Sequence, residues 1–315
     1  VTDPGPSARP RGRVPAPALF VVSGLTQYLG AAVAVRLFDV LAAPVVAWLR
    51  IVGAALVLLA WQRPWRHRWD RRRLLTTAAF GVVLAAMNVS FYIAISRLPL
   101  GTAVAVEFIG PVAVAAVTGR SVRERWAIVV AFAGVLLLAG VSLQLGPDAV
   151  VGLVAILVAA GFWAGYIVLG RVVARGATPV AAGAQDDGVP QVDAQTGGGL
   201  VGLALAMSVG ALVFSPLAAG AGPVLHDGRL AIAVAAVAVL SSVVPYGVEQ
   251  VVMRRVSAAT FAVLLAILPA SAAVVGAVVL RQWPHGLEIV GLALVTGAIV
   301  LTAPPGRSPS PRGRR

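Results

Sequence analysis

The chain has 315 residues, 59% of them hydrophobic and 12% charged, with a mean hydropathy of +0.92 and a formal net charge of +13. Apolar runs of about 18 or more residues recur along it, which excludes an ordinary soluble domain and predicts a multi-pass membrane protein. The lack of Cys excludes disulfides, thiol catalysis and cysteine metal sites.

Residues 1–16, rich in Pro, Gly and Arg, read as a disordered cytoplasmic tail, with Val1 as a GTG start translated literally. The first apolar run is full length and lacks a convincing cleavage site, so it reads as an uncleaved span. Ten spans are predicted, at 17–36, 41–60, 74–95, 99–118, 126–143, 149–170, 198–218, 230–251, 257–280 and 286–303. The polar, Gly-rich segment 171–197 reads as a flexible linker that leaves five spans on either side. The expected organisation is a first five-helix unit at 17–143, a second at 144–303 that includes the linker, and a basic cytoplasmic tail at 304–315.

The positive charge maps onto connections rather than onto a nucleic-acid-binding face. Every basic residue is Arg, and 20 of the 25 fall in segments that an N-terminus-inside arrangement makes cytoplasmic. Only Arg36, Arg97, Arg229 and Arg281 fall in the outer segments, and Arg50 lies within a span. This asymmetry predicts both termini on the cytoplasmic side. Trp61, Trp65 and Trp69, around the exit of the second span, fit an interfacial aromatic belt.

The stretch RLPLGTAVAVEFIGPVAV (97–114) places one carboxylate, Glu107, near the middle of the fourth span, with Gly110 and Pro111 just beyond it. A carboxylate at the centre of a spanning helix costs about 2.5 kcal/mol or more on insertion scales. Pro111 withholds the backbone N–H that would bond the Glu107 carbonyl. Non-ideal helix at membrane depth is tolerated where protein covers it or a cavity lies beside it, so Glu107 is the leading candidate for a site. The competing reading is a structural ion pair or hydrogen bond. Arg50, in the second span, is open between gripping a substrate carboxylate, neutralising Glu107 and snorkelling outward.

Late in the eighth span stand Pro245, Tyr246 and Glu249, with Ser241 at the carbonyl that Pro245 leaves unpaired. Glu249 is either a second intramembrane charge or an interfacial residue beside Arg254. Asn88, Tyr92, Gln27, Tyr28, Trp163 and Tyr166 are candidates for a pocket wall, each with packing as the alternative. The Gly161-x-x-x-Gly165 pair reads most simply as a close helix contact.

The two halves resemble each other. RLPLGTAVAVEFIGP and RVSAATFAVLLAILP superpose at a constant offset of 158 residues, pairing Arg97 with Arg255, Thr102 with Thr260 and Pro111 with Pro269. Gly30 to Arg36 likewise matches Gly165 to Arg171 in its glycine and arginine. Five spans is an odd number, so a second copy inserts upside down. The expected fold is an all-α polytopic membrane protein of ten transmembrane helices in a 5+5 inverted repeat, a recurring transporter design. Pro111, Pro245 and Pro269 are its predicted helix breaks.

No phosphate loop, HExxH or GxSxG motif occurs, and His67, His226 and His285 all fall in connections. No catalytic residue, metal site or cofactor is therefore expected, and the chain reads as no enzyme. Span number, inverted halves and the proline-centred fourth and ninth helices resemble the drug/metabolite transporter superfamily, EamA type. More narrowly, MNVSFYIAISRLPLGTAVAVEFIGPVAVA (87–115), the segment around Arg50, GFWAGYIVLG in the sixth span and PYGVEQ in the eighth are similar to the bacterial threonine/homoserine exporters.

That resemblance implies a secondary transporter of the bacterial cytoplasmic membrane. It would export small amino acids or related metabolites by alternating access, coupled to proton entry. Arg50, Glu107, Gly110, Pro111, Pro245, Tyr246 and Glu249 match the family pattern, with Asn88 and Tyr92 nearby as substrate- or proton-binding candidates. Leu268 and Arg281 depart from it, standing where the family commonly has acidic residues. The expected partners are a small-molecule substrate, protons and the lipid bilayer; no nucleic acid is expected, and a homodimer stays open. The alternatives are an EamA-type transporter of another metabolite or drug, an intramembrane enzyme on a lipid-linked substrate, and a non-transporting membrane partner.

Overall fold

The computed structural model describes residues 15–67, 69–118, 122–143, 146–175, 198–245, 247–248 and 264–302. Among them the chain is helical, without strands. In order come α1 (Ala16–Leu37), α2 (Ala43–Gln62), α3 (Arg71–Ile95), α4 (Leu100–Glu107), α5 (Ile109–Thr118), α6 (Val122–Leu143) and α7 (Pro147–Arg175). Then follow α8 (Gly198–Val213), the short α9 (Gly222–His226), α10 (Gly228–Ala238), a π-helical turn (Val239–Val243), α11 (Ile267–Leu280) and α12 (Leu287–Thr302).

Local chemistry sets several boundaries. The Asp70 carboxylate accepts the Arg73 amide at 2.7 Å and starts α3, and Asp227 does the same for α10 through the Arg229 amide at 2.8 Å. Pro99 precedes α4 and Pro147 opens α7, positions where a missing N–H costs nothing. Both α2 and α11 end on an arginine in the left-handed region, Arg63 (φ 46°) and Arg281 (φ 59°), where a glycine is the usual choice.

Six segments are long and apolar enough to cross a membrane: Pro17–Leu37, Ala43–Gln62, Arg71–Ile95, Leu100–Thr118, Arg125–Ser142 and Pro147–Leu169. They account for the first six expected spans. Shorter apolar helices, Leu200–Val213, Gly228–Val243, Ile267–Leu280 and Leu287–Leu301, lie within the last four. Some boundaries differ from the sequence-based ones. The sixth helix continues to Arg175, into the expected linker, because its apolar pattern runs through Val172 and Val173. The seventh stops at Val213, where Pro216 withholds an amide and a 3-10 turn (Ser215–Gly220) takes over.

The helices approach closely through small residues. A Cβ on Gly81 would fall on the Ala206 carbonyl, so α3 and α8 touch backbone to backbone. Gly101 sets α4 against Ala273 of α11, and Gly134 sets α6 against Gly291 of α12. The Gly161/Gly165 pair is a correction. Among the described residues nothing lies within 4 Å of a Cβ on Gly161, and Gly165 meets only an ordinary van der Waals contact with Val83. Tight contacts on that helix are instead made at Ala160, whose carbonyl a Cβ on Gly110 of α5 would strike, and at Gly152, which packs against Leu98.

The larger buried core runs from Phe20 and Tyr28 through Tyr92, Leu100 and Phe108 to Ile156, Val237, Leu268 and Val295, and a smaller one joins α2, α3 and α8 through Ile51, Leu84, Leu203 and Met207. The outside is apolar as well: Leu56, Leu136, Val154, Ile232 and Val278 are each more than half exposed. So continuous an apolar exterior suits lipid rather than water.

Candidate functional site

The fourth apolar segment is interrupted at Phe108, between α4 and α5. The break follows from Pro111, whose ring crowds the Glu107 carbonyl and removes the amide that would bond it. Phe108 keeps near-helical angles (φ −65°, ψ −11°), so the helix kinks without unwinding. A matching break stands at Ala266 (φ −64°, ψ −15°), three residues before the buried Pro269. Phe108 and Ala266 are separated by 158 residues, the offset at which the two sequence segments superpose. Each break stands three residues to the N-terminal side of a proline, Pro111 in one case and Pro269 in the other.

The eighth apolar segment is disturbed differently. Pro245 leaves the Ser241 carbonyl without its usual donor, and the helix takes up the slack as a π-turn over Val239–Val243, with the Val244 amide reaching back to the Val239 carbonyl. The missing donor comes from another helix. An Nη2 hydrogen of Arg50, on α2, donates to the Ser241 carbonyl at 2.6 Å, and its Nε donates to the Ser242 hydroxyl at 2.9 Å. The Ser241 hydroxyl in turn donates to the Gln27 carbonyl on α1 at 3.0 Å. One guanidinium therefore ties α2 to the irregular turn, and that turn to α1.

Arg50 is 7% exposed and lies over the Tyr92 ring, 5.6 Å from its centroid. Tyr92, on α3, is fully buried, its ring edge-on to Phe38 at 6.1 Å. Its hydroxyl has no hydrogen-bond partner among the described residues. Asn88, one turn earlier on the same face, is 4% exposed and donates its amide to the Leu84 carbonyl at 2.8 Å. Glu107 is also 7% exposed; Arg50 is the cation whose field reaches it, and no hydrogen bond is drawn to its carboxylate among the described residues.

The structure therefore brings Arg50, Tyr92, Ser241 and Ser242 into contact, with Glu107 in the same electrostatic neighbourhood. A guanidinium carries five donors, and those on the edge facing away from the serines have no protein acceptor among the described residues. That edge can receive a carboxylate. Gly110, Trp163 and Tyr166 serve packing: Gly110 on Ala160, Trp163 edge-on to Phe108 at 4.7 Å, Tyr166 stacked on Phe80 at 4.6 Å. Tyr246 and Glu249 lie outside the described residues. Ser242 escaped the sequence reading. The signal was there, since two adjacent hydroxyls precede Pro245 by three and four residues.

Comparison with known proteins adds three findings. The model of the EamA-like transporter family matches residues 198–303. The threonine/homoserine exporters RhtA of Salmonella typhimurium (strain LT2) and of Escherichia coli (strain K12) are each 32% identical over 270 residues, covering 85% of this chain and 84% of theirs. A crystal structure of a protein 17% identical in sequence shares the fold, with a TM-score of 0.51 over 91% of this chain and 95% of its own.

Proposed function

The chain belongs to the EamA-like transporter family, the RhtA threonine/homoserine exporters being relatives over most of its length, and on that premise we propose that it exports small amino acids of the threonine and homoserine kind in exchange for protons. Membership of a transporter family sets the enzyme and non-transporting readings aside. It also makes the chain a multi-pass protein of the inner membrane, and on our reading both termini are cytoplasmic.

The observation that carries the proposal is the half-used guanidinium of Arg50 beside the unbonded carboxylate of Glu107. A zwitterion presents the complementary pair of charges. Its carboxylate docks on the free edge of Arg50, in the two-pronged geometry that guanidinium favours. Its ammonium and a proton compete for Glu107, so that loading one expels the other. The Tyr92 hydroxyl, otherwise without a partner, faces the docked solute.

Alternating access requires two bodies that rock about the site, and we assign them to 17–143 and 144–303, as inverted copies of five helices. Two features support this. The helix breaks at Phe108 and Ala266 recur at the offset of the sequence repeat. Packing between the halves is also reciprocal: α3 lies on α7 as α10 lies on α1, and α3 on α8 as α10 on α2, while α2 with α8 and α6 with α12 pair about the centre.

The test uses inside-out vesicles containing the purified protein under an imposed proton gradient. Gradient-driven accumulation of labelled threonine or homoserine, abolished in Glu107→Gln, is the expected result. A Glu107→Gln protein that inserts normally and transports at the parental rate overturns the proton role. Movement of another solute, with no amino acid uptake, would favour the reading of a different substrate. The departures to examine are then Leu268, which is buried against Gly24, and Arg281.

A further inference from the structure

A cavity lies at the end of the bundle where α4 begins and α11 passes into α12. It encloses about 230 Å³, and its walls include Thr102, Arg281, Gln282, Trp283, His285 and Glu288. At about 30 Å³ per water, that is room for roughly seven waters, or for a solute with a similar number of heavy atoms. Drug-sized ligands need more, of the order of 300 Å³ upwards.

Its polar groups are arranged for a ligand rather than for each other. Arg281 and Glu288 line one cavity, yet no ion pair joins them, and the Arg281 guanidinium has no acceptor among the described residues. Glu288 is 91% buried by its 9% exposure; one oxygen accepts the His285 amide at 3.1 Å and the other is uncommitted. The Thr102 side chain is 3% exposed and its hydroxyl has no hydrogen-bond partner among the described residues. Gln282, by contrast, is committed: its carboxamide oxygen accepts the Leu100 amide at 2.9 Å and pins the α11–α12 connection to the start of α4. The cavity thus has a fixed wall, an exposed guanidinium and a hydroxyl without hydrogen-bond partners among the described residues, and one uncommitted carboxylate oxygen of Glu288.

We infer that this cavity is a second binding site for a small zwitterionic solute, its carboxylate held by Arg281, its ammonium by Glu288 and a third polar group by Thr102. The site is distinct from the central one. Thr102 precedes Glu107 by five residues on α4, a rise of about 7.5 Å and a turn that brings it to another face of the helix. On the export reading, on which the direction of passage rests, it is the outer station, occupied after solute leaves Arg50 and Glu107.

Trp283, 62% exposed on the cavity wall, supplies a local reporter. Full-length protein in lipid nanodiscs is titrated with L-threonine, and its emission is compared with that of Trp283→Phe so that the other tryptophans cancel. The titration is repeated in Arg50→Ala, or in Glu107→Gln should the first fail to insert, to disable the central site. A saturable change that depends on Trp283 and persists in that background is expected. Threonine methyl ester, which lacks the carboxylate, and lactate, which lacks the ammonium, should bind at least tenfold more weakly. Glu288→Gln keeps an oxygen for the His285 amide and so preserves the turn, yet should raise Kd about tenfold; Thr102→Val should raise it about threefold. A missing Trp283 signal overturns the inference, as does a signal unchanged in both Glu288→Gln and Arg281→Gln. An intact signal in a protein that moves no threonine in vesicles upholds the site and overturns the export reading, so the two fail separately.

Discussion

Arg50 shows why a buried charge in a transporter resists a single label. Two of its donors hold the Ser241 carbonyl and the Ser242 hydroxyl, which is structural work; the rest have no acceptor among the described residues. Arg50→Lys separates the two roles, because an ammonium keeps the charge but cannot span both contacts while offering a flat edge to a carboxylate. The lost charge-assisted bonds should lower stability by about 1.5–3 kcal/mol, read by thermal unfolding in detergent, and threonine uptake should fall at least tenfold. Tyr92→Phe should behave in the opposite sense. It deletes a buried hydroxyl with no partner, whose desolvation is a penalty of about 1–3 kcal/mol. The unfolding temperature should therefore hold or rise, while the KM for threonine increases if the hydroxyl meets the solute. A fall in unfolding temperature with unchanged KM would remove Tyr92 from the site.

At the scale of the helices, the three prolines were legible and their consequences only partly so. A proline marks which carbonyl loses its donor, but what replaces that donor is decided by a neighbour far away in sequence. Pro111 produces a kink at Phe108, whereas Pro245 produces a π-turn because Arg50, nearly 200 residues earlier, caps the freed carbonyl. The Gly161/Gly165 spacing misled for a related reason. Spacing places two glycines on one face of a helix, but not that face against a partner, and here no described residue lies within 4 Å of a Cβ on Gly161. The contrast can be measured. Gly110→Ala forces a Cβ onto the Ala160 backbone and should lower stability by about 1–3 kcal/mol with loss of transport. Gly161→Ala, in open space on a helix, should be neutral or stabilising by up to about 1 kcal/mol. Equal unfolding temperatures for the two variants would refute the packing of α5 on α7.

For the molecule as a whole, hydropathy carried the placement of the first six spans, since the bilayer acts on every span alike. The six segments long enough to span sit where apolar runs predict them, and the apolar helices described after residue 197 are shorter. What sequence alone could not supply is the meeting of α2 with the turn after α10, which brings Arg50 onto Ser241 and Ser242. Orientation remains the most direct prediction to check, because it follows from arginine asymmetry and fixes which mouth holds the Arg281–Glu288 cavity. The chain has no Cys, so a single introduced thiol is labelled without background. Ser96, exposed just after α3, and His67, exposed between α2 and α3, fall at opposite ends of the bundle. In intact cells a membrane-impermeant maleimide should label Ser96→Cys and leave His67→Cys unlabelled until the cells are permeabilised. The reverse pattern would invert the protein in the membrane, turning the outer station into an entry site and export into uptake.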